Sequence, residues 1–421
     1  MKTISMRKLI AALGAAALLS TTAIAIAPSA NAAAPTCTTD SKGLETCTGK
    51  LSNGAGYLIK VPAKYNGTFF YWNHGVRFTY PLAGVVTVPK GVEELTPSNV
   101  PEKQMLLSGY GLATYDRVSP GGLRGWDAAA GVEMLKELID VVKANYTVKK
   151  GVVYGSSLAG AILTPFIEKY PTYADAVGIM AGVTPSIGQS VQSLCDAFYI
   201  LSVFADPTIK GCAAMGVKGA AGFYAAAAEF GKVVALLTAW GGNLGAPGLE
   251  YPAALKGSGI PQRSALLLTG LLIGLPAKSA HMDGITTSAV IPEQSINATV
   301  AILENFGEAI ATGTFGGQAI SEITGPGFYD NTKTNWFSLL DPADSGRYNL
   351  GLSGDGAIAG MLGVLSLAPR VTGDPAAVAK LKALDKSKFD TTKPVVLLSN
   401  EADRLVFAGN SALYVDKARA I

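Results

Sequence analysis

The sequence predicts an α/β fold: a mostly parallel sheet flanked by helices and interrupted by a large, mainly helical insertion. Short β-rich runs alternate with helical periodicity as far as residue 183, as they do in parallel sheets with crossover helices. From 184 to 389, alanine- and glycine-rich helical stretches replace this alternation, and a buried strand pattern returns at 393–398. We therefore expect an α/β core in two parts, 33–183 and 390–421, separated by a cap of residues 184–389.

The elements of the first core part are predicted in order from hydrophobic periodicity and breaker residues. Two β-rich runs, 57–61 and 68–72, are separated by Pro62 and Asn66-Gly67, which predicts two strands with a hairpin-type connection. The pattern then predicts a helix at 102–107, a strand at 111–115, a helix at 126–146, a strand at 152–154, a helix at 158–170 and a strand at 175–182.

Composition indicates a globular chain with a large core and excludes two classes of partner. Of 421 residues, 49% are hydrophobic and 15% charged, with 34 basic against 31 acidic side chains. This balance gives no electrostatic reason to bind nucleic acid or an anionic membrane. We expect neither as a partner.

The N-terminus has the pattern of a secretory signal peptide, assigned to residues 1–32. Lys2, Arg7 and Lys8 precede an apolar run over 9–26, and 30–32 read Ala-Asn-Ala, a small-residue cleavage pattern. The alternative is an uncleaved membrane anchor, because the run is nearly long enough to span a bilayer. The cleavage pattern favours a secreted protein that starts near Ala33 and has no membrane attachment after cleavage.

Four cysteines suit an oxidising compartment. The short spacings favour two local disulfides, Cys37 with Cys47 and Cys195 with Cys212, although four cysteines allow three pairings. With two histidines in the chain and no Cys-x-x-Cys motif, we expect no metal site, and no motif indicates a cofactor.

The chemistry is predicted at one turn, where residues 152–160 read strand, sharp turn, helix. Gly155-Ser156-Ser157-Leu158-Ala159 fits the nucleophile elbow Gly-x-Ser-x-Gly, with Ala in the last position. Small flanking residues are needed because the turn is tight, and the helix N-terminus behind it favours negative charge. Ser157 is therefore the candidate nucleophile. The alternative is that these small residues only permit the helix to pack on the strand.

Two further segments complete a candidate site. The strand that ends near Asn73 leads into His74-Gly75, and acyl transfer needs two backbone N–H groups aimed at the developing oxyanion. Leu158 is one candidate donor; Val76, with Gly75 beside it, is the other. His74 would shape that loop, or serve only as a turn residue bonded to local backbone.

The candidate acid follows the late strand at 393–398. A carboxylate in such a loop can orient a catalytic imidazole and stabilise its protonated form. Asp403 is the first candidate and Glu401 the second, and the alternative is an acidic pair on the surface.

These segments resemble the α/β-hydrolases, and within them secreted bacterial serine esterases and peptidases with a large cap. The matching residues are Asn73-His74-Gly75, the run 108–113 with Tyr115-Asp116 behind it, the elbow at Ser157, and the strand that precedes Asp403. The resemblance implies that a small or polymeric carboxylic ester is cleaved through an acyl-enzyme on Ser157. A peptidase or amidase of the same fold is the alternative.

One departure from the family concerns its third catalytic residue. The triad order is Ser, Asp, His, with the histidine in a loop after the acid. Here only His74 and His281 exist, and His281 lies inside the cap, out of chain order, where a cap or surface histidine is favoured over a catalytic base. We therefore expect the last strand and helix of the core, and the histidine, to lie beyond Ile421. The alternative is a catalytically silent, hydrolase-like binding protein.

Overall fold

The computed structural model describes residues 34–82, 88, 92, 94–117, 126–184, 187–242, 262–285, 291–348, 355–385 and 387–421. The predicted signal peptide therefore lies outside the described residues. The chain divides into two compact units. The α/β unit extends to Ile187 and resumes over Leu384–Ser399 and Ala408–Ile421. The helical unit comprises Gly188–Ala383 and Asn400–Phe407.

The α/β unit is built on an eight-stranded sheet. Its strands are β1 (Thr36–Thr39), β2 (Glu45–Lys50), β3 (Gly56–Val61), β4 (Thr68–Asn73), β5 (Gly111–Tyr115), β6 (Lys150–Ser157), β7 (Ala176–Gly182) and β8 (Val395–Leu398). They lie in the order β1-β2-β3-β5-β4-β6-β7-β8. The five strands from β5 to β8 in this order are parallel to one another, and β1, β2 and β3 join them by antiparallel pairing. The prediction of a mostly parallel sheet is confirmed.

The predicted hairpin between β3 and β4 is wrong, because β5 lies between these two strands. The turn residue Asn66 explains the difference. Its backbone N–H donates to the Gly109 carbonyl at 2.9 Å and its side-chain amide donates to the Ser108 carbonyl at 3.0 Å. Asn66 thus ties the turn to the segment that leads into β5, and a parallel β4–β5 pair results. Turn residues mark where the chain bends but do not determine which strands pair.

Strands β1 and β2 were not predicted from the sequence. All four residues of β1 are exposed and three of them are threonine, so no alternation of polar and apolar residues marks a strand. A disulfide joins Cys37 to Cys47, which lie directly opposite each other in the antiparallel register, with Cα atoms 4.0 Å apart. Covalent pairing thus accompanies a strand pair that buries little apolar surface.

The helices are α1 (Asn99–Leu107), α2 (Ala128–Asn145), α3 (Gly160–Lys169), α4 (Ile187–Phe204), α5 (Gly219–Gly242), α6 (Gln262–Leu272), α7 (Ile291–Thr324), α8 (Pro342–Tyr348), α9 (Asp355–Leu367), α10 (Pro375–Ala383) and α11 (Ala408–Arg419). In helix α2 the apolar residues that recur at helical spacing form the buried face. Asp127 caps it by accepting from the Ala130 N–H. Its predicted apolar face is buried: Val132, Leu135, Leu138, Ile139 and Val142.

The helical unit packs the 34-residue α7 against α5 and α6. Its disulfide joins Cys195 on α4 to Cys212 in a short turn of 3-10 helix. Both bridges in the structure join the cysteines that the spacing favours, which is consistent with an oxidising compartment. One helix among the described residues, spanning 219–241, is long and apolar enough to cross a membrane, and half of its apolar window is buried within the protein. Buried core helices also have this composition.

The unit boundaries differ from the predicted domains on both sides of residue 390, since the second α/β segment begins at Leu384 and Asn400–Phe407 lies outside it. The core was predicted to resume at 390 and continue to 421, but Asn400–Phe407 groups with the helices. The contacts are ionic: Lys278 Nζ lies 3.3 Å from a Glu401 carboxylate oxygen and Arg404 Nη2 lies 2.6 Å from Glu308. Sequence alternation identifies strands and helices, but it carries no signal for such loop-to-helix ion pairs.

A buried polar cluster lies in the helical unit around Asp196, which is 5% exposed. The Asp196 Oδ1 atom accepts from the Tyr329 hydroxyl at 2.7 Å and from the Gln192 amide at 3.3 Å. The Asn331 amide donates to the Tyr329 oxygen at 3.0 Å, and Arg370 donates to the Asn331 carbonyl at 3.1 Å. We call this set the Asp196 cluster; it links α4 to the segments around 330 and 370.

Candidate active site

Ser157 lies at a sharp turn between strand β6 and helix α3. It is the last residue of β6, and α3 begins three residues later at Gly160. Its φ angle is 55°, a left-handed conformation that non-glycine residues seldom adopt. Such backbone strain persists only where the surroundings enforce it, and it is concentrated at functional sites. The geometry is that of a nucleophile elbow.

Backbone hydrogen bonds hold the elbow in this conformation. The Ala159 N–H donates to the Ser156 carbonyl at 3.0 Å, and the Val183 N–H donates to the Ser157 carbonyl at 2.8 Å. The register between β6 and β7 shifts between Ser156 and Ser157, which marks where the chain leaves the sheet. Hydrogen bonds from its own turn and from the residue after strand β7 therefore hold Ser157 in this strained conformation.

The small residues around Ser157 are required by close packing. A Cβ atom at Gly155 would lie 2.4 Å from the Asn73 carbonyl oxygen and 2.6 Å from the Ala159 Cβ. A Cβ at Gly160 would lie 3.0 Å from the Gly182 Cα. Both glycines were expected from the sequence because the turn is tight, and the structure supplies the reason at each position.

We expect Gly155→Ala to lower the free energy of unfolding by about 1–3 kcal/mol, because the new methyl overlaps a backbone oxygen and forces the strands apart. Gly151→Ala on the same strand is the matched control, since its Cβ would meet atoms only at 3.4 Å, which is ordinary contact. Urea unfolding of both variants checks this. Equal stabilities for the two would contradict the packing argument.

The loop after β4 reaches the elbow. Strands β4 and β6 are parallel neighbours, so their carboxyl ends meet at the same edge of the sheet. A Cβ atom at Gly75 would lie 3.1 Å from the Ser157 Cβ and 3.6 Å from its Oγ. The structure thus brings Gly75 and Ser157 together, and Gly75 allows this approach because it has no side chain.

His74 is buried behind this loop and both of its ring nitrogens are engaged. Its Nδ1 lies 2.7 Å from the Gly75 carbonyl oxygen, and its Nε2 accepts the Arg117 backbone N–H at 3.2 Å. A carbonyl only accepts, so the ring carries its proton on Nδ1 and is the neutral tautomer. In this arrangement His74 shapes the loop and offers no free nitrogen to Ser157.

Charged side chains surround His74. Asp116, which follows β5, has Oδ1 3.8 Å from the His74 Nε2 and 4.0 Å from an Arg77 guanidinium nitrogen. Arg117 is fully buried, and its Nη2 donates to the Gly75 carbonyl at 3.0 Å. Sequence reasoning missed Arg117; the available signal was its place two residues after the buried strand β5, which pairs with β4.

Asp403 and Glu401 have different surroundings. The Asp403 Oδ1 atom accepts the backbone N–H groups of Leu405 at 2.9 Å and Val406 at 2.8 Å, so its carboxylate is held by its own turn. Glu401 is exposed and paired with Lys278. A carboxylate fixed through one oxygen keeps the other for an imidazole, and this favours Asp403 over Glu401 as the candidate acid.

His281 belongs to the helical unit. Its Nδ1 lies 3.2 Å from a Glu304 carboxylate oxygen, and its side chain is 69% exposed. These are the surroundings of a surface histidine beside a carboxylate. In the described part of the chain, no side chain forms a hydrogen bond with the Ser157 hydroxyl.

A mostly parallel sheet flanked by helices, with a serine at a strand–turn–helix elbow, defines an α/β-hydrolase fold. No protein-family model matches the chain, and no curated protein matches it. Similar solved structures are esterases and peptidases.

Two esterases are similar over most of the chain. Feruloyl esterase B from Aspergillus oryzae is 12% identical with a TM-score of 0.39, and the match covers 99% of this chain and 79% of that one. The rice cell wall degrading esterase LipA from Xanthomonas oryzae is 10% identical with a TM-score of 0.37, covering 93% of this chain and 88% of that one. A prolyl endopeptidase is 12% identical with a TM-score of 0.21. That match covers 35% of this chain and 21% of the endopeptidase.

Proposed function

We propose that this protein is a secreted serine hydrolase that cleaves carboxylic esters through an acyl-enzyme on Ser157. The observation that carries the proposal is the strained elbow, with Ser157 at a φ of 55° and Gly75 against its side chain. Strain of this kind at a serine costs stability, and it is explained if the hydroxyl must be presented to a substrate. Export rests on the sequence pattern of residues 1–32 together with the two disulfides.

In the proposed reaction the Ser157 Oγ attacks the ester carbonyl carbon while an imidazole accepts the hydroxyl proton. The carbonyl oxygen becomes an oxyanion, which the backbone N–H groups of Leu158 and Val76 stabilise. The alcohol leaves with the proton from the imidazole. Water then attacks the acyl-enzyme by the same route and releases the acid.

Asp403 is proposed to orient the imidazole and to stabilise its protonated form. Its Oδ1 is held by two backbone N–H groups, which restricts how the carboxylate rotates. We assign the imidazole to neither histidine of this sequence. His74 has both nitrogens engaged, and the His281 Nδ1 lies 3.2 Å from a Glu304 carboxylate oxygen.

The test is covalent labelling of the full-length protein with a fluorophosphonate, followed by peptide mapping. We expect one labelled residue, Ser157, because the elbow exposes that hydroxyl and the flanking amides stabilise the phosphonyl oxygen. Ser156 lies one position earlier on the strand and is the internal control.

Labelling at Ser156, or labelling that survives Ser157→Ala, would show that the nucleophile is misassigned. No labelling of a folded protein would favour the alternative of a catalytically silent binding protein. Once labelling succeeds, turnover of p-nitrophenyl acetate beside p-nitroacetanilide separates an esterase from an amidase.

A further inference from the structure

Arg117 is a buried arginine that contacts His74 and Gly75, the residues that follow strand β4 and lie next to Ser157. Its side chain is fully buried, its Nη2 donates to the Gly75 carbonyl at 3.0 Å, and its backbone N–H donates to the His74 Nε2 at 3.2 Å. The His74 Nδ1 lies 2.7 Å from the same Gly75 oxygen. Two donors therefore converge on one carbonyl, and Arg117 orients the second of them.

Burial of the Arg117 guanidinium outweighs the favourable charge of the neighbouring Asp116. Burial lowers the pKa of its guanidinium to about 10, and its Nε and Nη1 find no hydrogen-bond partner among the described residues. A buried cation with incompletely satisfied donors costs stability. A role other than stability would explain why an arginine occupies this position.

The geometry of the peptide bond connects Arg117 to the oxyanion. The Gly75 carbonyl and the Val76 N–H belong to the same planar trans peptide, so they point in opposite directions. When Arg117 and His74 hold the carbonyl on their side, the Val76 N–H faces the other way. Gly75 itself cannot fix this peptide, because glycine moves readily between backbone conformations.

We propose that Arg117 is a positioning residue of the ester-hydrolysing site: by holding the Gly75 carbonyl it fixes the Val76 N–H as an oxyanion donor. The inference rests on the proposed function of Ser157 and Val76. If the guanidinium is lost, His74 is the one remaining donor to the Gly75 carbonyl, so the peptide rotates more readily, and a rotated peptide presents its carbonyl oxygen to the developing negative charge. Catalysis then loses one donor, while substrate contacts elsewhere stay the same.

The experiment compares Arg117→Met and Arg117→Lys with the unchanged full-length protein. The measurements are the second-order rate of fluorophosphonate labelling at Ser157, and kcat and KM on p-nitrophenyl acetate. For Arg117→Met we expect the labelling rate and kcat to fall by roughly 10–10²-fold with KM within about threefold, less than for complete loss of an oxyanion donor, because His74 still holds the Gly75 carbonyl. Arg117→Lys, which keeps a cation but not the planar fork, should fall less.

Arg370→Met is the matched control, since Arg370 also donates to two backbone carbonyls, those of Asn331 and Thr334, but within the helical unit. It should lower the melting temperature and leave the labelling rate at Ser157 unchanged. A general loss of folding would instead lower labelling in both variants. If Arg117→Met does not fold, Arg117→Lys decides.

The outcomes separate this inference from the proposed function. Absence of labelling at Ser157 in the unchanged protein overturns both. Labelling at Ser157 that Arg117→Met or a folded Arg117→Lys leaves at its original rate overturns only the role of Arg117. A rise in KM with kcat unchanged would also contradict it, because it would place Arg117 in ground-state binding.

Discussion

Replacing Ser157 by alanine is expected to lower kcat for ester hydrolysis by on the order of 10⁴–10⁶-fold where an imidazole activates the serine, because the covalent route disappears and only the oxyanion donors and substrate binding remain. The half-buried side chain makes no hydrogen bond within the described residues, so its loss removes little packing. The unfolding midpoint in urea should therefore stay close to that of the unchanged protein. Initial rates on p-nitrophenyl acetate provide the measurement.

Ser156→Ala is the control for this prediction. Ser156 contributes its backbone carbonyl to the elbow, where it accepts the Ala159 N–H, and this bond does not depend on the side chain. We expect its kcat to remain within a few-fold of the original. A large loss in Ser156→Ala together with an active Ser157→Ala would contradict the assignment of the nucleophile.

Much of the α/β unit could be predicted from sequence because its signals are local. The apolar face of α2 recurs at helical spacing, and β5 was placed at its observed bounds, Gly111–Tyr115. The elbow could be predicted equally well, because a strand pattern, a run of small residues and a helix pattern follow one another within a short stretch of sequence. These features depend on residues that are close in sequence.

The errors and omissions concern interactions between distant segments. The pairing of β4 with β5 depends on Asn66 bonding to residues 108 and 109, more than forty positions later. The same holds for Arg117, whose target carbonyl at Gly75 lies on another strand's loop. Composition and hydrophobic periodicity carry no information about which distant residues will form such contacts. A single sequence therefore predicted the elbow at Ser157 but not the buried arginine that contacts the loop beside it.

The pH dependence of the helical unit follows from the Asp196 cluster. Burial raises the pKa of Asp196 to about 7, and donation from Tyr329 and Gln192 and the charge of Arg370 only partly oppose it. In the unfolded chain the carboxyl has an ordinary pKa near 3.8. Between these values the folded protein holds one more proton than the unfolded protein. The contribution of Asp196 to the free energy of unfolding is therefore greatest below about pH 4, and this contribution is lost as the pH rises to about 7.

We expect the free energy of unfolding of the helical unit to fall by on the order of 3–4 kcal/mol between pH 4 and pH 7.5 through Asp196, since one pKa unit corresponds to about 1.4 kcal/mol. Asp196→Asn should remove this slope, because the amide is neutral throughout and its carbonyl can still accept from Tyr329.

Asp330→Asn is the control. The pKa of Asp330 is lowered, through hydrogen bonds that outweigh its partial desolvation, so its contribution is lost only in acid and the slope above pH 5 should persist. Urea titrations at pH 4.5, 5.5, 6.5 and 7.5, followed by the tryptophan fluorescence to which Trp336 contributes beside Tyr199, measure the three curves. A slope that Asp196→Asn leaves intact would show that another group carries the pH dependence.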